Sequence, residues 1–152
     1  MGSRANGKLR IEGIHHATAL TADAARCSSF YAGSLGLSPG PDAEGDGARE
    51  LTFLLDGADV LHFYELRGLR PGAPGAGMIH RIAWWVPAAS LPAWWRRLEP
   101  AGVDVRPSED PTGGGAKSLL FRDPEGLEHE LLPGTGSSGD EARPLAPAGV
   151  RA

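Results

Sequence analysis

Along the chain, short runs that alternate apolar and polar residues are interrupted twice by a longer run whose apolar residues recur every three or four positions. The first pattern is that of half-buried strands and the second that of amphipathic helices. Residues 9–20 open as a strand. Thr21 stands where an N-cap belongs, ahead of a helix through Ala32 whose apolar stripe is Ala24, Cys27, Phe30 and Tyr31. Gly36, between Leu35 and Leu37, sits where a helix end wants a left-handed residue. A weak strand starts at Leu37, and a loop rich in Gly, Pro and Asp covers 38–48. Two strand-like runs, 49–55 and 58–66, flank Asp56-Gly57, a hairpin signal.

Residues 67–77 form a connector, and the cycle begins again. A strand at 78–86 precedes Ser90, which is placed to cap a helix carrying Leu91, Trp94, Trp95 and Leu98. Pro92 lies in its first turn, where a missing amide costs little. Gly102 ends this helix as Gly36 ended the first. A short strand at 103–105, a Gly/Pro loop at 106–116 and a hairpin of 117–122 with 127–132 across Asp123-Pro124-Glu125-Gly126 complete the second cycle. The order is β-α-β-β-β, twice. This predicts an α+β fold in which each half is a curved, mostly antiparallel sheet backed by one helix. The domain spans 9–132, with repeats at 9–66 and 78–132, and flexible termini at 1–8 and 133–152.

Composition narrows the classes. The chain has 152 residues, 41% of them hydrophobic, enough for one ordinary core. A net charge of -4 without a basic run argues against a nucleic-acid surface. No apolar stretch is long enough to span a membrane, and the N-terminus lacks the hydrophobic segment of a secretory signal. The single cysteine, Cys27, fits a reducing compartment and reads as a small core residue. The expected location is the cytoplasm.

Aligning the halves pairs His16 with Arg81, Gly36 with Gly102, Asp56 with Asp123 and His62 with Glu130. Inward-facing positions then come from the first and last strands of each half, which brings His16, His62, Arg81 and Glu130 forward as candidates. Two imidazoles and a carboxylate on rigid strands suit one divalent ion, Fe, Mn, Ni, Co or Zn. Successive strand residues face opposite ways, so His15 is scaffold where His16 faces in. By the same parity Glu128 shares a face with Glu130, His129 faces away, Trp84 packs against the helix, and Trp85 shares a face with Arg81 and lines a substrate pocket or a dimer interface.

At these residues the chain resembles the vicinal oxygen chelate superfamily, which includes glyoxalase I, extradiol ring-cleaving dioxygenases, and fosfomycin and bleomycin resistance proteins. The carriers are Gly13-Ile14-His15-His16, Phe30-Tyr31 through Leu35-Gly36-Leu37, and Asp123-Pro124-Glu125-Gly126 leading to Glu130-Leu131. The wording is most similar to the first half of two-part hydroquinone-type ring-cleaving dioxygenases, where this half supplies only part of the metal site. The resemblance implies a glyoxalase-like fold, a homodimer, and metal ligands at His16, Glu130 and, on the fourth strand, His62. The fifth-strand ligand of the family, usually histidine, falls on Arg81, with His80 one place early. Two functions follow as expectations. One is a metal-dependent enzyme of dioxygenase, isomerase or lyase type, with His16, His62 and Glu130 holding the ion, and Arg81 and Trp85 on the substrate. The other is a metal-free binding or resistance-type protein in which Arg81 neutralises Glu130.

Overall fold

Two sheets carry the fold, one from each repeat. In the first, β1 (Ala17–Thr21) lies at an edge and runs parallel to β5 (Ala58–Glu65), which pairs antiparallel with β4 (Ala48–Leu55). Strand β4 also takes β2 (Ser38–Pro39) and β3 (Ala43–Gly45). The second sheet repeats the plan with β6 (Arg81–Pro87) parallel to β9 (Glu128–Gly134), then β8 (Leu119–Arg122) and β7 (Arg106–Pro107). This is a computed structural model, and it describes residues 11, 13–45, 48–108 and 118–134. The second half shows the expected β-α-β-β-β order, and the first adds to it β3, a short strand inside the stretch expected to be a loop, which forms by pairing with the start of β4.

The boundaries moved at several places, each for a local reason. The first strand begins at Ala17: residues 13–16, expected to belong to it, pair with no neighbouring strand among the described residues, and residues 9, 10 and 12 of the expected strand lie outside them. Asp23, not Thr21, caps the first helix α1 (Ala24–Ser28), because its Oδ1 accepts the Arg26 amide. Thr21 is fully buried and its hydroxyl donates instead to Glu125 of the other half at 2.6 Å. The helix widens into a π-turn over Ser29–Ser34, with the Leu35 amide reaching Phe30 O. It closes as expected on Gly36, at φ +77, with the Leu37 amide bonded to Tyr31 O. Ser90 precedes α2 (Leu91–Leu98) without capping it, since its hydroxyl donates to Pro87 O. The strand expected at 103–105 is paired instead at Arg106–Pro107. The hairpin at Asp56-Gly57 has φ 51 and 81, the left-handed pair of a type I′ turn.

Alternation gives each sheet an inner and an outer face. Leu51, Phe53, Leu61 and Phe63 face in from the first sheet, and Val86, Leu119, Phe121 and Leu131 from the second, and all belong to one cluster with Cys27, Phe30 and Tyr31. Tyr31 is fully buried, with its ring 4.8 Å from Phe63 and 5.7 Å from His129. Its hydroxyl donates to Asp123 Oδ2 at 2.6 Å and meets His129 Nε2 at 3.1 Å. Trp84 Nε1, which can only donate, reaches His129 Nδ1 at 3.0 Å. His129 therefore carries its proton on Nε2 and gives it to the Tyr31 oxygen, so the relay runs one way, from Trp84 to Asp123. Asp123 Oδ1 also accepts the Glu125 and Leu127 amides, which shapes the turn between β8 and β9.

Burial alone pushes His129 down from the ordinary 6.5 to about 4 and holds it neutral. Between those values the unfolded chain takes up a proton that the folded chain refuses, so stability falls as pH falls through that window. Asp123, raised by burial, offsets part of the loss at the acid end. Urea-unfolding free energies should drop by roughly 2–3 kcal/mol between pH 7 and pH 4. A flat profile over that range would remove His129 as the cause. Tyr31→Phe should cost about 1–3 kcal/mol by stranding two buried partners.

Candidate functional site

The four sequence-derived candidates sit on the outer faces, two on each sheet. On the first, Thr18, His62 and Thr52 stand abreast across β1, β5 and β4, opposite in parity to Leu61 and Phe63. His16 lies just before β1 and stacks on His62, with ring centroids 4.0 Å apart and planes 14° from parallel. His15 is exposed and its Nδ1 lies 2.8 Å from His16 Nδ1. His62 donates from Nδ1 to Glu50 Oε1 at 2.9 Å. Its Nε2 is buried without a hydrogen-bond partner, and Asp59 Oδ2 stands off at 3.5 Å.

On the second sheet, Arg81, Ala83 and Trp85 alternate outward with Glu128, Glu130 and Leu132 beside them. The Arg81 guanidinium binds both carboxylates, Glu130 Oε2 at 2.9 Å and Glu128 Oε1 at 2.8 Å. The hydrogen bond to Glu130 leads the interactions that hold Arg81 firmly charged. Glu130 Oε1 takes the Ser118 hydroxyl, and Arg106 binds the other oxygen of Glu128. Two cations thus balance two carboxylates. Arg81 Nε is buried without a hydrogen-bond partner. Trp85 is 58% exposed on the same face.

The structure therefore brings His16 to His62 and Arg81 to Glu130, but places the two pairs on different sheets whose inner faces share the core. Among the described residues no group of three metal-capable side chains converges. Sequence reading missed Glu50, Asp59, Ser118 and Arg106. Alternation in Arg49-Glu50-Leu51-Thr52 was a usable signal for Glu50 once β4 and β5 were paired, whereas Arg106 had been read as loop. The strand expected from Met78 begins at Arg81, which leaves His80 exposed on the connector before it. His129 and Trp84 are on the core side, as parity predicted, and so is Cys27, as its place on the helical stripe predicted.

Removing Arg81 would leave Glu128 and Glu130 facing each other. Arg81→Met should lower stability by about 1–3 kcal/mol at pH 7, since the arginine is partly solvated. The deficit should shrink in high salt, which screens the two facing carboxylates. An equal deficit in low and in high salt would show that packing of the arginine stem, not its charge, is what matters.

Comparison with known proteins gives these faces a setting. Residues 13–131 match the Glyoxalase/Bleomycin resistance protein/Dioxygenase superfamily. The chain is 30% identical over 142 residues to the candidate ring-cleaving dioxygenase MhqE of Bacillus subtilis, covering 90% of this chain and 46% of that protein. MhqO of the same organism is also 30% identical, over 126 residues, covering 79% of this chain and 39% of its own length. The chain thus spans less than half the length of these curated relatives. A crystal structure of a candidate dioxygenase from Bacillus subtilis superposes with a TM-score of 0.70 at 29% identity, over 80% of this chain and 40% of that one. The fosfomycin resistance protein FosX of Listeria monocytogenes superposes at 0.68 with 20% identity, over 84% and 97% of the two chains. A variant of that protein has been solved with Mn(II) and a dihydroxypropylphosphonic acid. With the doubled fold and a family match over most of its length, the chain belongs to the glyoxalase/bleomycin resistance protein/dioxygenase superfamily.

Proposed function

We propose that this chain is a small-molecule-binding member of the superfamily that works as a homodimer without a resident metal. The observation that carries the metal-free reading is Arg81, whose charge is bound to Glu130 and Glu128 where the family places a metal ligand. The donor set does not fit an ion as it stands. Both Glu130 oxygens are engaged, and stacked imidazoles such as His16 and His62 do not aim their lone pairs at one point. In the dimer, the His16 and His62 face of one copy closes over the Arg81 and Glu130 face of a second. Leu20 and Trp85, equivalent in the two repeats and 49% and 58% exposed, flank the edge strands that would approach. His62 Nε2 and Arg81 Nε, each lacking a hydrogen-bond partner, would meet neighbouring oxygens of a planar ligand resting on Trp85.

A second reading, a metal-dependent enzyme of the dioxygenase, isomerase or lyase type, is favoured by the dioxygenase-named relatives and by one contact. Glu50 holds His62 Nδ1 in the way carboxylates commonly orient histidine ligands. That reading needs Arg81 to leave Glu130. No helix among the described residues is long and apolar enough to cross a membrane. The buried, unpaired Cys27 suits the cytoplasm.

Protein reconstituted with Fe(II), Mn, Ni, Co or Zn and then desalted should retain no stoichiometric metal by mass spectrometry. Quenching of Trp85 fluorescence by catechol, referenced to Trp85→Phe, should survive EDTA and disappear in Arg81→Ala. One metal per chain, lost in His62→Ala and Glu130→Ala, would establish the second reading instead. A strictly monomeric species in sedimentation equilibrium would exclude the shared site.

A further inference from the structure

The two repeats differ sharply at one place, the inward side of their first strands. The alignment that pairs His16 with Arg81 pairs Ala17 with Ile82 and Ala19 with Trp84. In the second half Ile82 and Trp84 pack against the core beneath their sheet. In the first half Ala17 and Ala19 stand beside Leu61 and Phe63 in register, so the edge strand points its smallest side chains at the space its neighbours cannot fill. A cavity of about 500 Å³ results, between β1, Leu61, Ile82 and the connector that follows β5. That volume is within the ordinary range of small-molecule sites.

The connector forms the roof. Leu69, Met78 and Ile79 line the cavity yet stay 40%, 63% and 59% exposed, an unfavourable placement for apolar side chains that nothing among the described residues relieves. Only a few backbone bonds hold the roof, among them the Gly72 amide to Glu125 O and the Met78 amide to Gly75 O. The polar lining is lopsided. Glu125 is engaged by the Thr21 hydroxyl and the Ala22 amide, whereas Arg70 and His80 are exposed and make no ion pair among the described residues. An apolar chamber with an unneutralised cation at its mouth complements an apolar molecule bearing one anionic group.

We propose that this cavity is a second ligand site, separate from the outer faces, for an apolar, largely aromatic or aliphatic small molecule with a single carboxylate or sulfonate near Arg70. The site goes beyond the shared-cup reading, and of the residues named there Leu20 alone also lines it. Nothing covalent occurs there. Binding buries the exposed roof residues and orders the connector over the ligand.

The test uses the full chain and 8-anilinonaphthalene-1-sulfonate as probe, with neutral N-phenyl-1-naphthylamine as its uncharged counterpart. Wild type should bind the sulfonate saturably, one per chain, at neutral pH. Ala19→Trp, which copies Trp84 of the other half, should weaken both probes at least about tenfold, while Arg70→Glu should weaken the sulfonate by a similar factor and spare the neutral probe. Near-ultraviolet circular dichroism and melting temperature establish that each variant is folded. Should Ala19→Trp fail to fold, Ala17→Leu and Ile79→Asp provide the same comparison. Unchanged probe affinity in a folded cavity-filling variant would overturn the proposal. So would loss of binding in Arg81→Ala or Trp85→Phe with retention in Ala19→Trp, which would place the probe on the outer faces. Absence of probe binding together with dissociation of a wild-type dimer by Ala19→Trp would also overturn it, because a second copy would then fill the cavity.

Discussion

The hydroxyl of Tyr31 is the point on which the two halves of this molecule depend. Each half is a small sheet with one short helical segment, too little to bury a core alone. Tyr31 comes from the first half, packs on Phe53 and Phe63, and completes a hydrogen-bond chain made by Trp84, His129 and Asp123 of the second. Every donor in that chain has one acceptor, so the network fixes the relative placement of the sheets as well as stabilising it. It also fixes which faces are left outside. With the inner faces committed to Tyr31 and its neighbours, His62 and Glu130 must look away from each other.

That constraint explains what could and could not be read from the sequence. The repeat, the two left-handed glycines, the hairpin turns and the face parity of Trp84, Trp85, Glu128, His129 and Glu130 were all legible, because period-two alternation and turn chemistry act locally. Parity did not sort His15 from His16, because both precede β1 and their rings meet. The assembly of the faces was not. Nothing in the spacing of His16 and Glu130 tells whether the sheets meet by their concave or their helix-bearing sides. That choice rests on a Tyr–Asp contact between residues 31 and 123. Capping failed for a similar reason. Thr21 looked like a cap until the carboxylate of Glu125 arrived from the far half and took its hydroxyl.

The outer faces differ in electrostatic character. The first carries imidazoles and carboxylates without a full-time cation, and the second carries Arg81 and Arg106 interleaved with Glu128 and Glu130. A bound ion needs carboxylate lone pairs that are free to turn toward it. Here they are held by the guanidinium groups of Arg81 and Arg106. Substituting arginine for the expected histidine therefore changes more than one ligand, because it also occupies the remaining acid.

Strands β1 and β6 each end their sheet, so along one side their backbone amides and carbonyls find no sheet partner among the described residues. Such an edge is a template for any extended segment. Two copies that join β1 to β6 across a two-fold axis satisfy both edges at once and stop growing. The same two edges joined head to tail leave one of each free at every addition, which is the geometry of a filament. Symmetry of pairing, more than strength of pairing, would then separate a closed pair from a fibre.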